Sequence, residues 1–145
     1  MSIPDQLVVC ARQIAIYRAY DNLENGLQPL DVLQSKFEHE QLEFAEAVAS
    51  GDIWHMYHEA ADLLYYSACI GAQEQCTSDT PSHYNRRVLA FRRYLSAYHE
   101  IIRPATGFDI MDVENAAIAK YSWRAEQSGN KDEAYEIELM KQSVR

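Results

Sequence analysis

The sequence predicts an all-α protein, built as a bundle of about five to six helices. Apolar residues recur at helical spacing along most of the chain, and the sequence lacks the sustained period-two alternation of strands. The few glycines and prolines stand where one helical segment gives way to the next. We expect a single domain over residues 1–145, which is long enough for a core of its own.

Start and stop signals define the first three helices. Apolar spacing predicts a first helix over residues 4–20, and a proline suited to a first helical turn opens the second, over residues 29–50. Gly51 stops that helix, and Asp52 can cap a third helix that continues to about residue 75. Because the connection is short, we expect the second and third helices to form an antiparallel hairpin.

The second half of the chain contains three further helical segments. A fourth helix is predicted over residues 81–103, where the sequence PATG is expected to break the chain, and a fifth over residues 109–127. The polar stretch SGNKD then leads into a terminal charged helix. We interpret residues 128–145 as a charged arm that is solvated or used as an oligomer contact.

Composition restricts the partners. A net charge of −9 and a pI near 4.9 argue against nucleic acid or an anionic membrane, so an anionic small ligand must be met by local cations or a metal. The odd number of cysteines, Cys10, Cys69 and Cys76, without metal-type spacing favours a reducing environment. The N-terminal segment has no basic region before its interrupted apolar stretch, so we expect a cytoplasmic protein.

Four carboxylates in two pairs carry the functional signal. Glu40 and Glu43 lie in EHEQLEFAEA, and Glu59 and Asp62 lie in HMYHEAADLLYYSA. Each pair has an E-x-x-E/D spacing within a predicted helix, so both side chains of a pair project from one face. Two such faces brought together form a cage of hard oxygen ligands, which suits Mg²⁺ and also accommodates Mn²⁺.

The positions of these carboxylates set them apart from ordinary surface charges. Glu40 falls on the core-facing side of the second helix, and Glu59 and Asp62 lie in a third helix that is apolar nearly all round. Buried carboxylates need a compensating cation, and no basic residue occurs between Lys36 and Arg86. We therefore expect a metal ion, with a purely structural carboxylate cluster as the alternative.

Two histidines leave the kind of metal open. His55 and His58 lie one turn before Glu59 and Asp62. They qualify as ligands of a transition metal, or one of them caps or hydrogen-bonds a carboxylate while the other lies at the rim of the site. We favour the second interpretation. A ferritin-like di-iron site is disfavoured, because no histidine has a glutamate three residues before it.

The carboxylate pattern resembles that of the all-α nucleoside triphosphate pyrophosphohydrolases, which include MazG, dimeric dUTPase, dCTP pyrophosphatase and phosphoribosyl-ATP pyrophosphohydrolase. Their E-x-x-E, spacer, E-x-x-D signature is matched by Glu40, Glu43, fifteen intervening residues, Glu59 and Asp62. The local sequence is most similar to that of the phosphoribosyl-ATP branch: Lys36 precedes the first carboxylate pair, and EAADLLYY contains the second pair.

This MazG-like resemblance implies metal-dependent hydrolysis between the α and β phosphates of a nucleotide. Mg²⁺ would be held by the four carboxylates, with Glu43 orienting or deprotonating the attacking water. The resemblance also implies substrate contacts by the following residues: Asn115, Lys120, Tyr121 and Arg124. Lys36, one turn before Glu40, either contacts a phosphate of the substrate or is a solvated lysine. Arg86 and Arg93 share a face of the fourth helix, where they can clamp a triphosphate or form a solvated surface.

Three alternatives to a general nucleotide hydrolase remain at this stage. The first is a phosphoribosyl-ATP pyrophosphohydrolase. The second is a non-hydrolytic helical protein that binds metal or nucleotide, and the third is a structural bundle whose carboxylates pair with arginines of the fourth helix. Because the third helix is apolar nearly all round, we also expect a homodimer or homotetramer to complete the fold.

Overall fold

A computed structural model of the chain describes residues 29–76, 89, 92–126 and 130–144. The first predicted helix, over residues 4–20, lies outside these residues, as do Arg86 and the start of the predicted fourth helix. Every secondary-structure element in the described part of the chain is helical, which confirms the all-α prediction.

Helices α1 (Leu30–Ser50) and α2 (Ile53–Cys76) form the predicted hairpin and pack along each other. Gly51 ends α1 in the left-handed conformation, with φ +78°, and its N–H donates to the carbonyl of Val48. Asp52 then accepts hydrogen bonds at Oδ1 from the backbone N–H of Trp54 at 3.0 Å and of His55 at 3.3 Å. The stop and cap signals were therefore interpreted correctly.

The described part of the predicted fourth helix, α3, covers residues 92–106. Residues 92–97 lead into a π-helical turn, Tyr98–Ile102, followed by an α-helical turn, Arg103–Thr106, that ends at Gly107 with φ +72°. The predicted break at PATG is confirmed, because the helix ends at Thr106 and Gly107 is its C-cap, although Pro104 itself still lies in the turn that follows the π-helical turn. Because proline has no N–H, it cannot donate the usual backbone hydrogen bond to the preceding turn. The wider π-helical turn before it accommodates this missing hydrogen bond.

The last two helices are α4 (Ile110–Glu126) and α5 (Glu133–Ser143). Asp132 caps α5 by accepting a hydrogen bond from the N–H of Tyr135 at 3.2 Å. The interpretation of the C-terminal segment as a solvated arm is wrong for α5, which packs against α4 and α2 and buries Glu136 and Met140 completely. Its use as an oligomer contact stays a prediction. Its other charges do face solvent, and the buried glutamate is neutralised by partners distant in sequence.

Helix α2 is the central element of the fold, as predicted from the apolar residues on nearly all of its sides. Tyr65 in its middle stacks on Tyr121 of α4, with ring centroids 3.7 Å apart, and Tyr57 stacks on Phe108 at 3.9 Å. These contacts fix α4 against the same helix that carries Glu59 and Asp62. Among the helices described, none has both the length and the apolar character needed to cross a membrane.

Candidate metal centre

The α1–α2 hairpin brings together the four carboxylates singled out in the sequence. Glu40 and Glu43 approach from α1, and Glu59 and Asp62 from α2. One carboxylate oxygen from each residue lies within 4.8 Å of the corresponding oxygens of the other three. The E-x-x-E/D spacing on each helix and the antiparallel hairpin together account for this convergence.

The burial of the cluster tests whether it fits a cation. Glu59 and Asp62 are each only 6% exposed, and Glu40 is half-buried. The Oε2 atoms of Glu40 and Glu59 are buried without a hydrogen-bond donor. A buried acceptor left without a partner costs about 1–3 kcal/mol, and more when it is charged. A divalent cation satisfies such oxygens, and an all-carboxylate donor set suits Mg²⁺ or Mn²⁺. The residues therefore fit a hard metal ion.

The electrostatics of the cluster point the same way. Burial, reinforced by the neighbouring carboxylate of Asp62, raises the pKa of Glu40 from 4.5 to about 9. At neutral pH the metal-free cluster therefore retains a proton on Glu40. A bound cation makes that proton unnecessary, because it neutralises the same group of negative charges.

A second cation already contacts the cluster from α4. Lys120 is completely buried, and its Nζ donates to Asp62 Oδ1 at 2.6 Å and to the carbonyl of His58 at 3.0 Å. The hydroxyl of Tyr121 donates to the same Asp62 oxygen. Burial acts to raise the pKa of Asp62, but the charge and hydrogen bond of Lys120 outweigh it and lower this pKa to about 2.

The sequence argument that a metal must supply all the positive charge therefore needs correction. Lys120 lies 58 residues after Asp62, so the absence of basic residues near the motif did not reveal it. The resemblance had implied that Lys120 and Tyr121 contact substrate. In the structure both side chains contact Asp62, one of the expected metal ligands, and Tyr121 also lines the cavity beside the cluster.

The other expected substrate-contacting residues are distributed unevenly. Lys36 and Arg124 line the cavity beside the cluster, whereas Asn115 is half-buried and is not part of its lining. Arg124 forms a two-pronged ion pair with Glu136, from Nε to Oε2 at 2.5 Å and from Nη2 to Oε1 at 3.0 Å. Arg124 therefore reaches the cavity as a paired cation.

Sequence reasoning missed Glu136. This buried carboxylate accepts from Arg124 and also lies 3.0 Å from His58 Nε2. Burial acts to lower the pKa of His58, but hydrogen bonds to Glu136 and Glu59 raise it. The only sequence signal was weak: Glu136 lies one helical turn before Met140, so the two share the face of α5 that packs inward.

Both histidines near the second carboxylate pair contact carboxylates. His55 Nε2 lies 3.3 Å from Glu59 Oε1 and 3.8 Å from Glu133 Oε1. His58 Nδ1 lies 3.5 Å from the same Glu59 oxygen. Both histidines also belong to groups of residues that could hold a metal ion, so their role as partners of the carboxylates stays a prediction.

The cluster forms one wall of a cavity of about 450 Å³. Glu43 stands at the rim, with 39% of its side chain exposed and its Oε1 2.8 Å from His39 Nε2. Besides the four carboxylates, the lining comprises Lys36, His39, His58, Tyr66, Tyr121, Arg124, Lys131, Glu133 and Glu136. The cavity thus places cationic side chains close to a candidate metal site.

No family model, curated protein or solved structure matches this chain. Its function is therefore inferred from the residues of the site themselves.

Proposed function

We propose that this protein is a metal-dependent nucleoside triphosphate pyrophosphohydrolase, which cleaves between the α and β phosphates and releases a nucleoside monophosphate and pyrophosphate. One observation carries the proposal. Four carboxylates converge on a cavity of about 450 Å³, and two of their buried oxygens have no donor. The sequence pattern of the same four residues resembles that of known pyrophosphohydrolases.

A polyphosphate is a suitable ligand because the cavity combines both kinds of charge. The protein carries a net charge of −9, so an anionic substrate is repelled unless positive charge is placed at the site. A divalent ion bound at the carboxylates supplies this charge and lowers the pKa of water. Lys36 and Lys131 line the same cavity and add positive charge beside the cluster, whereas the charge of Arg124 is paired with Glu136.

The cluster residues have separable roles in this proposal. Glu40, Glu59 and Asp62 are the enclosed ligands, with Asp62 kept ionised by Lys120 and Tyr121. Glu43 is more exposed and stands at the rim, so it is the carboxylate best placed to orient or deprotonate a water molecule. Lys36 lies one turn before Glu40 on α1 and is proposed to contact a phosphate.

Pyrophosphate release tests the proposal directly. The purified chain is incubated with ribo- and deoxyribonucleoside triphosphates and with phosphoribosyl-ATP, in Mg²⁺, Mn²⁺ or chelator. We expect metal-dependent release that falls by at least about 100-fold in Glu59→Gln, because this change removes a ligand but preserves the shape of the side chain. Glu46→Gln is the matched control, since Glu46 is an exposed glutamate on α1 outside the cluster.

Product analysis makes the test specific. Nucleoside monophosphate and pyrophosphate identify cleavage between the α and β phosphates, whereas nucleoside diphosphate and phosphate identify a different hydrolase. If phosphoribosyl-ATP is the best substrate, the activity belongs to that branch. If no substrate releases pyrophosphate while metal still raises the melting temperature, the hydrolase proposal is wrong and a metal-binding role replaces it.

We further propose that the protein acts in the cytoplasm as a homodimer or homotetramer. Leu42 on α1 is 66% exposed and Ile53 at the start of α2 is 54% exposed, which leaves apolar surface for a second copy to cover. Light scattering coupled to size exclusion measures the mass in solution. A monomer at micromolar concentration would contradict this part of the proposal.

A further inference from the structure

Resting on the metal-dependent function proposed above, we infer that the carboxylate cluster holds a single divalent ion per chain and that the buried ammonium group of Lys120 takes the place of a second one. Lys120 is then a positioning residue, because it acts through Asp62 and does not contact the substrate.

The surroundings of Lys120 resemble those of a bound cation. Its side chain is completely buried, and its Nζ lies 2.6 Å from Asp62 Oδ1, 3.0 Å from the carbonyl oxygen of His58 and 3.4 Å from His58 Nδ1. The ammonium group thus donates to two oxygen acceptors, one of them an ionised carboxylate, and lies beside the His58 ring.

Without the ammonium group of Lys120, the residues around it would form a second candidate metal site. His58, Glu59 and Asp62 each offer one ligand atom, and these atoms lie within 4.8 Å of one another in a fully buried group. Lys120 contacts two of the three residues. A divalent ion placed there would lie within a few ångströms of the ammonium group, and the repulsion is poorly screened because the site is buried. Lys120 therefore competes with a divalent ion for this group, whereas the four-carboxylate cluster adds the negative charges of Glu40 and Glu43 from α1, which favour an ion there.

The remaining oxygens are arranged for one ion. Asp62 Oδ1 accepts from both Lys120 and Tyr121, and Glu59 Oε1 faces His55 and His58. Glu59 and Asp62 therefore each have one oxygen that faces nitrogen or hydroxyl groups of the protein. The two unpartnered oxygens, Oε2 of Glu40 and Oε2 of Glu59, belong to residues of the four-carboxylate cluster shared by α1 and α2.

Metal stoichiometry tests this inference without nucleotide. The full chain is titrated with Mn²⁺, and free Mn²⁺ is followed by electron paramagnetic resonance, with isothermal titration calorimetry as a second measurement. We expect one ion per chain for the wild type and two for Lys120→Met, which keeps the length of the side chain but loses its charge. Lys141→Met is the matched control, since Lys141 is an exposed lysine of α5, and it should bind one ion.

Lys120→Gln serves as a second variant in case the methionine disturbs folding, because its amide still donates to Asp62; it too is expected to bind two ions. Two ions in the wild type, or one ion in the folded Lys120 variants, would overturn the inference. If one ion binds to every variant and pyrophosphate release still depends on metal, only the role of Lys120 is wrong. A wild type that binds no Mn²⁺ overturns both the inference and the metal dependence of the proposed function.

Discussion

The substitution Glu40→Gln is expected to remove a pH dependence of stability from the metal-free protein. Glu40 is surrounded by three other carboxylates, and burial raises its pKa from 4.5 to about 9. Between these two values the folded protein holds a proton that the unfolded chain has released. Stability therefore falls as pH rises from about 5 to 9. Glutamine has nearly the same shape and carries no titrating proton, so the variant lacks this contribution.

The size of the effect follows from proton linkage. One proton held only by the folded state gives a slope of about 1.4 kcal/mol per pH unit, and the whole shift would correspond to about 6 kcal/mol. Solvent reaches part of the Glu40 side chain, and screening reduces the figure. We expect a difference between wild type and Glu40→Gln of about 2–3 kcal/mol over this pH range.

Urea denaturation in chelator, followed by circular dichroism at pH 5, 6, 7, 8 and 9, measures this difference. The pKa of His58 is also raised, so its contribution to stability is lost as pH rises through the folded value. That loss occurs in both proteins and cancels in the comparison. Glu46→Gln should retain the wild-type slope, because Glu46 is exposed. Parallel curves for wild type and Glu40→Gln would refute the assignment of a proton to Glu40.

Two further predictions concern α5 and the hairpin. Glu136→Gln should lower the free energy of unfolding by about 2–3 kcal/mol in urea denaturation, because it leaves the buried guanidinium of Arg124 without its counter-charge. The control Glu138→Gln, on the exposed face of α5, should change this free energy by less than about 0.5 kcal/mol. Equal effects of the two substitutions would show that α5 is not anchored through Glu136. Gly51→Ala should cost about 1 kcal/mol by the same measurement, since the added methyl group meets no atom within 4 Å but the left-handed backbone at φ +78° disfavours alanine. A stabilised Gly51→Ala protein would contradict this conformation.

The hairpin that carries the candidate site was predictable because its signals are local. Gly51 and Asp52 act within a few residues of themselves, through a left-handed backbone and a side-chain cap. The E-x-x-E/D spacing then determines which helical face each carboxylate occupies. The convergence of Glu40 with Asp62 follows from these two local features once the helices run antiparallel.

One helix end was displaced and one interpretation was wrong where a local rule competed with packing. The break in PATG falls at Gly107 and not at the proline, because a π-helical turn just before Pro104 lets the helix continue to Thr106. The charges of α5 suggested a solvated helix. Glu136 is nonetheless buried, because Arg124 and His58 neutralise it across 12 and 78 residues of sequence. Neither partner is visible in the charge pattern of the segment.

By itself the sequence determined the helical class, the ends of α1 and α2, and the faces that carry the four carboxylates, because these depend on backbone preferences and on periodicity over short distances. Only the tertiary structure decided which groups neutralise the cluster. The pairing of Asp62 with Lys120 on α4 and of Arg124 with Glu136 on α5 depends on how distant helices pack around α2. Electrostatic compensation acts through space, and the distance along the chain carries no information about it.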